Sequence, residues 1–272
     1  MAGRFRPETT PETVMSRNSY DHWFFEELGP ESEASAKVVV PLVCDIMAPA
    51  SVIDLGCGAG SWLAEFARRG VRDYLGVDGE YVPAELLQIP SNRFLAHDLR
   101  QPIELGRRYD MAMSLEVAEH LPAEAGDTLV QSLTALSDVV LFSAAVPGQG
   151  GTDHINEQWP TYWFQRFAAR GFLSFDLLRP MIWNDSRVSW WYRQNLILYT
   201  RRERVSSLRI RNVAAETPPL SLVHPVRYQG LLKNQSRAGT LSLRQLLSAL
   251  PAALVRAIQK RIPKVVRPTW GG

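Results

Sequence analysis

The stretch VIDLGCGAGSWLAEFARRG, residues 52–70, constrains the fold of this chain more than any other part of it. An apolar run ends in Asp54, glycines stand at 56, 58 and 60, and a helical pattern begins at once. Strand, glycine-rich turn and helix in that order allow backbone to come close to a nucleotide ligand, which makes Gly56 and Gly58 candidate binding positions. A GxGxG pattern alone also occurs in structural turns and in NAD enzymes. Its weight here comes from the segments C-terminal to it.

Short β-rich runs recur between helical segments, at 51–55, 74–77, 93–96, 109–115, 138–143, 173–178 and 195–199. This alternation predicts a doubly wound α/β fold with a mainly parallel, seven-stranded sheet covered by helices on both faces. The last two runs are separated by RPMIWNDSRVSWWYR, which reads as a loop and is compatible with an antiparallel final hairpin. Three regions are expected: a polar N-terminal arm over 1–30, the α/β domain over 31–200, and a basic, partly amphipathic helical extension over 201–272. Pro-Glu-Ser-Glu at 30–33 supplies a helix start before 38–47. In the extension, 241–262 places Leu243, Leu246, Leu247, Leu250, Leu254, Ala257 and Ile258 on one stripe broken by Pro251.

The net charge of +2 conceals an asymmetry: residues 1–200 carry 16 Lys/Arg against 26 Asp/Glu, whereas 201–272 carry 14 against 2. Such a basic block faces an anionic partner, whether nucleic acid, a membrane surface or an acidic substrate, or it neutralises the acidic domain of its own or a second subunit in a homo-oligomer. Two cysteines, Cys44 and Cys57, are too few for a disulfide framework, which points to a reducing compartment. With no secretory h-region at the N-terminus and no apolar run near the roughly 18 residues of a membrane span, the expected location is cytoplasmic or peripheral to a membrane.

Three acids stand at three successive strand ends. Asp54, just before the first glycine, suits a cationic amino group; Asp78, ending YLGVD, can accept two ribose hydroxyls; Asp98, in RFLAHDL, can receive an adenine amino group. Together VIDLGCGAG, LGVD, AHDL and YDMAMSLEVAEHLP resemble the ordered motifs of class I S-adenosylmethionine-dependent methyltransferases over roughly residues 38–200. That resemblance implies a last strand antiparallel to the rest, S-adenosylmethionine at the carboxyl ends of the strands, and Asp54, Gly56, Gly58, Asp78 and Asp98 as its contacts.

After the fourth run, SLEVAEHLP sets Glu116, Glu119 and His120 at i, i+3 and i+4, one face of a helical turn. After the fifth, GQGGTDHINEQWPTYWFQRF puts His154 on a Gly-rich loop before an aromatic helix. Two carboxylates and two imidazoles form an oxygen and nitrogen set suited to Mg²⁺, Mn²⁺ or another divalent ion. This set resembles the metal site of small-RNA 3′-terminal 2′-O-methyltransferases, and its ExxEH part resembles ubiquinone-pathway O-methyltransferases, although DHINEQWPTYW differs from the RNA enzymes' own motif. The resemblance implies Glu116, Glu119, His120 and His154 as metal ligands, with His120 and His154 central to catalysis. A metal-free site with either histidine as general base is the rival.

A metal with such ligands favours an acceptor with vicinal oxygens, and the loop VPGQGGTDHINEQWPTYW resembles that of bacterial methyltransferases of glycan and natural-product pathways. A sugar hydroxyl is therefore the expected acceptor, with a terminal RNA ribose and a small-molecule hydroxyl as alternatives and a non-catalytic scaffold as the reading from another class. Of the other histidines, His22 and His224 suit surface or packing roles, and His97 a shaping role beside Asp98. Among Trp159, Tyr162, Trp163, Trp190, Trp191 and Tyr192, about half are expected in the core.

Overall fold

In a computed structural model, the described residues are 22–209 and 218–239, with side chains described over 29–209 and 218–233. The stripe expected at 241–262 and most of the N-terminal arm lie outside them. By its internal contacts the chain divides into one unit ending at His224 and a second beginning at Pro225. Among the described residues no helix is long and apolar enough to cross a membrane.

The first unit holds seven strands: β1 (Ser51–Leu55), β2 (Asp73–Asp78), β3 (Phe94–Ala96), β4 (Met111–Leu115), β5 (Val139–Ser143), β6 (Phe172–Phe175) and β7 (Ile197–Arg201). They form one sheet in the order β3-β2-β1-β4-β5-β7-β6. Neighbours pair parallel except that β7 runs antiparallel to both β5 and β6. The strand order reverses direction between β1 and β4, and a crevice opens at the carboxyl ends of such a pair.

Helices cover both faces because every central strand alternates two apolar faces. Met111, Met113, Val139 and Leu141 pack on one side with α1 (His22–Met47), α2 (Ser61–Arg68), α5 (Leu178–Ile182) and α6 (Trp190–Asn195). Ala112, Val140 and Phe142 pack on the other with α3 (Ala123–Leu136) and α4 (Pro160–Ala168). In the second unit the described element is α7 (Pro225–Gly239).

Two local expectations fail. The helix expected to start at 30–33 begins instead at His22 and continues through Pro30 and Pro41. Each proline removes a helical hydrogen bond, but Ala36, Val39, Val40 and Val43, at helical spacing and almost wholly buried, hold the helix on the sheet. The connection between β6 and β7, expected as a loop, contains α5 and α6. Leu178, Ile182 and Tyr192 bury into the first core cluster there, so tertiary packing stabilises helices of five and six residues that would be marginal alone.

Candidate active site

Two clefts open over the carboxyl ends of β1, β2 and β4. One, of 790 Å³, is lined by Asp78, Tyr81, Asp98 and Ile155 among others; the other, of 380 Å³, by Asp54, Trp62, Glu119, His154, Trp191 and Tyr192 among others. Gly56, Gly58, Glu116 and His120 line both, so the clefts meet at these four residues.

The glycine turn is shaped by what it touches. Gly56 has φ +86°, and a Cβ there would lie 2.3 Å from Val117 Cγ2. Its N–H donates to Val77 O (2.7 Å), and Gly58 N–H donates to Asp78 Oδ2 (2.7 Å). Asp78 is buried, and its Oδ1 accepts from Gly79 N–H (2.7 Å) and Tyr81 Oη–H (2.5 Å). Burial raises its pKa, against which these hydrogen bonds work. Asp54 is 2% exposed, and its Oδ1 has no hydrogen-bond partner among the described residues. Burial, with the Asp78 charge adding to it, pushes the Asp54 carboxyl well above the carboxylate range. A buried, unsatisfied acid in a glycine cradle fits a cationic ligand group, the role expected for it.

Asp98 is exposed, and Arg100 grips its carboxylate through Nε (2.9 and 3.0 Å) and Nη2 (2.7 Å), lowering its pKa. The side chain lines the larger cleft, with the guanidinium two residues along held against it as a solvent-exposed bidentate pair. His97 Nε2 lies 3.3 Å from Gln101 O and shapes this turn.

The metal-ligand set is brought together in part. Ligand atoms of Glu119, His120 and His154 all lie within 4.8 Å of one another. The meeting across 34 positions is made by backbone: Ile155 and Asn156 N–H donate to Glu119 O (2.9 and 3.0 Å), and Asn156 Nδ2 donates to Ala118 O (3.3 Å). His154 is then set with Nδ1 3.0 Å from Glu157 Oε1, and its ring centroid lies 4.8 Å from that of His120. Glu157 also accepts from Gly148 and Gly150 N–H (2.7 and 2.6 Å), and its carboxyl stays below its ordinary pKa against the opposing effect of burial. Gly151 makes room, since a Cβ there would fall 2.2 Å from His154 Nε2.

Glu119 is wholly buried, and neither carboxylate oxygen has a hydrogen-bond partner among the described residues. Burial pushes its pKa well up, and the Glu116 charge pushes it further. Burial, with the His154 charge adding to it, brings His120 down to about 4, leaving a neutral imidazole. An unsatisfied buried carboxylate beside two imidazoles is a donor set that a divalent cation fits.

Glu116 lies beside this cluster, where its charge acts on Glu119, but its ligand atoms are not among those grouped within 4.8 Å. ExxEH does not wind into one helical face: Glu116 has φ +56°, and a short 3₁₀ turn covers only Ala118–His120. Its carboxylate accepts from Gln149 Nε2 (2.9 Å) and from Asn195 Nδ2 (3.1 and 3.3 Å to its two oxygens). Burial raises the Glu116 pKa, and these amides hold it back. Asp153, before His154, also has positive φ, +55°, so strained backbone stands at both functional segments.

Sequence reasoning missed Gln149, Asn195 and Glu157. Glu157 carries a faint signal, three residues after His154; an isolated Gln or Asn carries none. Of the aromatics, Trp163 is core, Tyr162 packs beside it, Trp159 is 38% exposed, and Trp190, Trp191 and Tyr192 line the smaller cleft. His224 is buried, with Nε2 3.0 Å from Trp183 O.

A family model described as a methyltransferase domain matches residues 24–179. No curated protein matches the sequence. Among solved structures, a proposed O-methyltransferase of Nostoc punctiforme PCC 73102 is 15% identical with a TM-score of 0.51 over 65% of this chain, which spans 59% of that protein's length. An amino pentose methyltransferase from Micromonospora echinaspora is 17% identical, with a TM-score of 0.47 over 66% of this chain and 95% of that one. The magnesium protoporphyrin IX methyltransferase of Synechocystis PCC 6803, with bound SAH, is 20% identical, with a TM-score of 0.43 over 64% and 84%.

Proposed function

This chain belongs to the methyltransferase-domain family, and we propose that it is an S-adenosylmethionine-dependent enzyme that methylates a hydroxyl of a sugar-containing acceptor with the help of a divalent ion such as Mg²⁺ or Mn²⁺. The observation that carries the metal is the buried Glu119 carboxylate, unsatisfied among the described residues and grouped with His120 and His154 where the two clefts meet.

In this reading the larger cleft takes the adenosine end of the donor and the smaller cleft its methionine end and the acceptor. Asp78 offers the ribose an acceptor, and Asp54 finds in the donor's amino group the cation its burial requires. Glu119, His120 and His154 would hold the ion, which when bound supplies Lewis acidity that lowers the pKa of an acceptor hydroxyl. Glu157 orients His154 through Nδ1 and leaves Nε2 for the ligand side, the usual arrangement behind a metal-bound imidazole. Trp190 and Trp191, with ring centroids 5.6 Å apart, line the acceptor side and offer flat apolar faces to a sugar ring. Vicinal oxygens on that ring suit a site whose protein ligands leave coordination positions over.

One observation also favours a metal-free mechanism: the His154 and Glu157 pair has the form of a general base with an orienting carboxylate. A methyl-transfer screen over glycosides, catechols and RNA 3′ ends, with and without chelator, separates the readings. Sugar methylation lost on chelation is expected. Full turnover in excess chelator leaves His154 as the base, and methylation of RNA ends alone replaces the sugar.

A further inference from the structure

The chain beyond β7 reaches back into the acceptor site through one buried side chain. Gln194, on α6, is 0% exposed and uses its amide in both directions. Its Oε1 accepts from the backbone N–H of His224 (2.8 Å). Its Nε2 donates to Gln149 Oε1 and to Asn195 Oδ1, both at 3.1 Å. Asn195 Nδ2 also donates to Gln149 Oε1 (2.9 Å), and Gln149 and Asn195 then direct their NH₂ groups at the Glu116 carboxylate.

The polarity of this chain is fixed at both ends. A backbone N–H can only donate, and at the other end the Glu116 oxygens face the NH₂ groups of Gln149 and Asn195, so no intervening amide can turn over without setting oxygen against oxygen. The segment at the His224 end is held independently. Arg179, 1% exposed and paired with Asp176, donates through Nη1 both to Gln194 O and to Leu220 O, each at 3.0 Å. His224 Nε2 meets Trp183 O and the ring packs on Trp183, with centroids 4.7 Å apart.

We infer that Gln194 is a positioning residue: it relays the seating of residues 218–224 onto the Glu116 carboxylate and onto the loop that carries Gln149 and His154, so the segment beyond the sheet is part of the acceptor-site machinery. The inference deepens the proposed function by adding a residue, distant from the ligand atoms, that orders the acceptor end but not the donor end. Asp54 and Asp78 share no hydrogen bond with this chain of amides among those described.

Gln194→Glu tests it at constant size. Ionised, the variant keeps an oxygen for His224 N–H but sets an acceptor against Gln149 and Asn195, cutting the relay while leaving the segment seated; protonated, its O–H would restore one donation, so exchange is compared up to the most alkaline pH at which the protein stays folded. Gln194→Leu cuts both. In the full chain with bound S-adenosylhomocysteine, hydrogen exchange of residues 147–157 should accelerate about tenfold or more in Gln194→Glu, while 218–224 stays protected. Both stretches should accelerate in Gln194→Leu. With 3,4-dihydroxybenzoate as vicinal-diol probe, kcat should fall about tenfold with the KM for S-adenosylmethionine unchanged, a split that loss of folded protein does not produce. Wild-type exchange at 147–157 in Gln194→Glu overturns the relay whether or not the probe is methylated. Failure of the wild-type chain to bind S-adenosylhomocysteine overturns instead the donor-site reading on which the proposed function stands.

Discussion

Asp54 shows how far a single residue can be read. Its place before the glycines marks it as a ligand acid, but only the fold shows that it is buried with one oxygen unsatisfied. Its carboxyl titrates higher in the fold than in the unfolded chain. The stability it contributes is therefore complete in acid, below the ordinary range near about pH 4, and is lost as pH rises through the folded value. Asp54→Asn should remove that loss and raise the melting temperature of the ligand-free protein at neutral pH. The same variant should weaken S-adenosylmethionine binding by about 1–3 kcal/mol, the range for a charge-assisted hydrogen bond, as calorimetry can show. Glu157 is the converse case, only faintly marked in sequence yet bound to His154 and two loop amides. Glu157→Gln should lower Mn²⁺ affinity about 10–100-fold, read by electron paramagnetic resonance, with donor affinity unchanged. Equal Mn²⁺ binding in variant and wild type would remove its assigned role.

At the scale of elements, periodicity located all seven strands, because alternating apolar faces leave a signature that length and turns bound well. Helices were harder. Pro30 looks like a start, yet the helix runs through it, and α5 and α6 have too few residues to show a period. The ExxEH spacing suggested one helical face, but Glu116 takes a left-handed conformation instead and turns to Gln149 and Asn195. The glycine turn was legible and is also the most exacting element. Gly56→Ala should abolish donor binding and destabilise the fold through two separable costs, about 1–2 kcal/mol for left-handed φ in an L-residue and the collision with Val117. Adding Val117→Ala should restore part of the melting temperature but not all of it, since only the collision is relieved. Complete restoration would show that backbone strain is not a factor.

Over the whole molecule, the expected boundary at residue 200 can be set against where contacts end. Past β7, Leu208 packs in the first core cluster, Arg209 N–H donates to Ile46 O (2.8 Å), and His224 N–H donates to Gln194. A chain ending at residue 224 should fold and bind S-adenosylhomocysteine like the full protein, whereas one ending at 200 should not fold, as circular dichroism and calorimetry would show. Residues 225–272 hold nine Lys/Arg and no Asp/Glu. If they engage an anionic surface, only the longer protein should bind phosphatidylglycerol vesicles, and salt should release it; binding by the shortened protein would place the contact elsewhere. The sequence by itself determined the seven strands and their order along the chain, the glycine turn, the acids at the strand ends and the presence of Glu119, His120 and His154, because each is a local pattern that side-chain periodicity or a tight turn dictates. Only the tertiary structure decided which of these meet. Glu119, His120 and His154 converge through backbone hydrogen bonds between two loops, Glu116 goes to neutral amides, and Asp98 goes to Arg100. Spacing along a chain says nothing of such partners, since burial and hydrogen-bond geometry are set by segments that are distant in sequence and adjacent only once the sheet has formed.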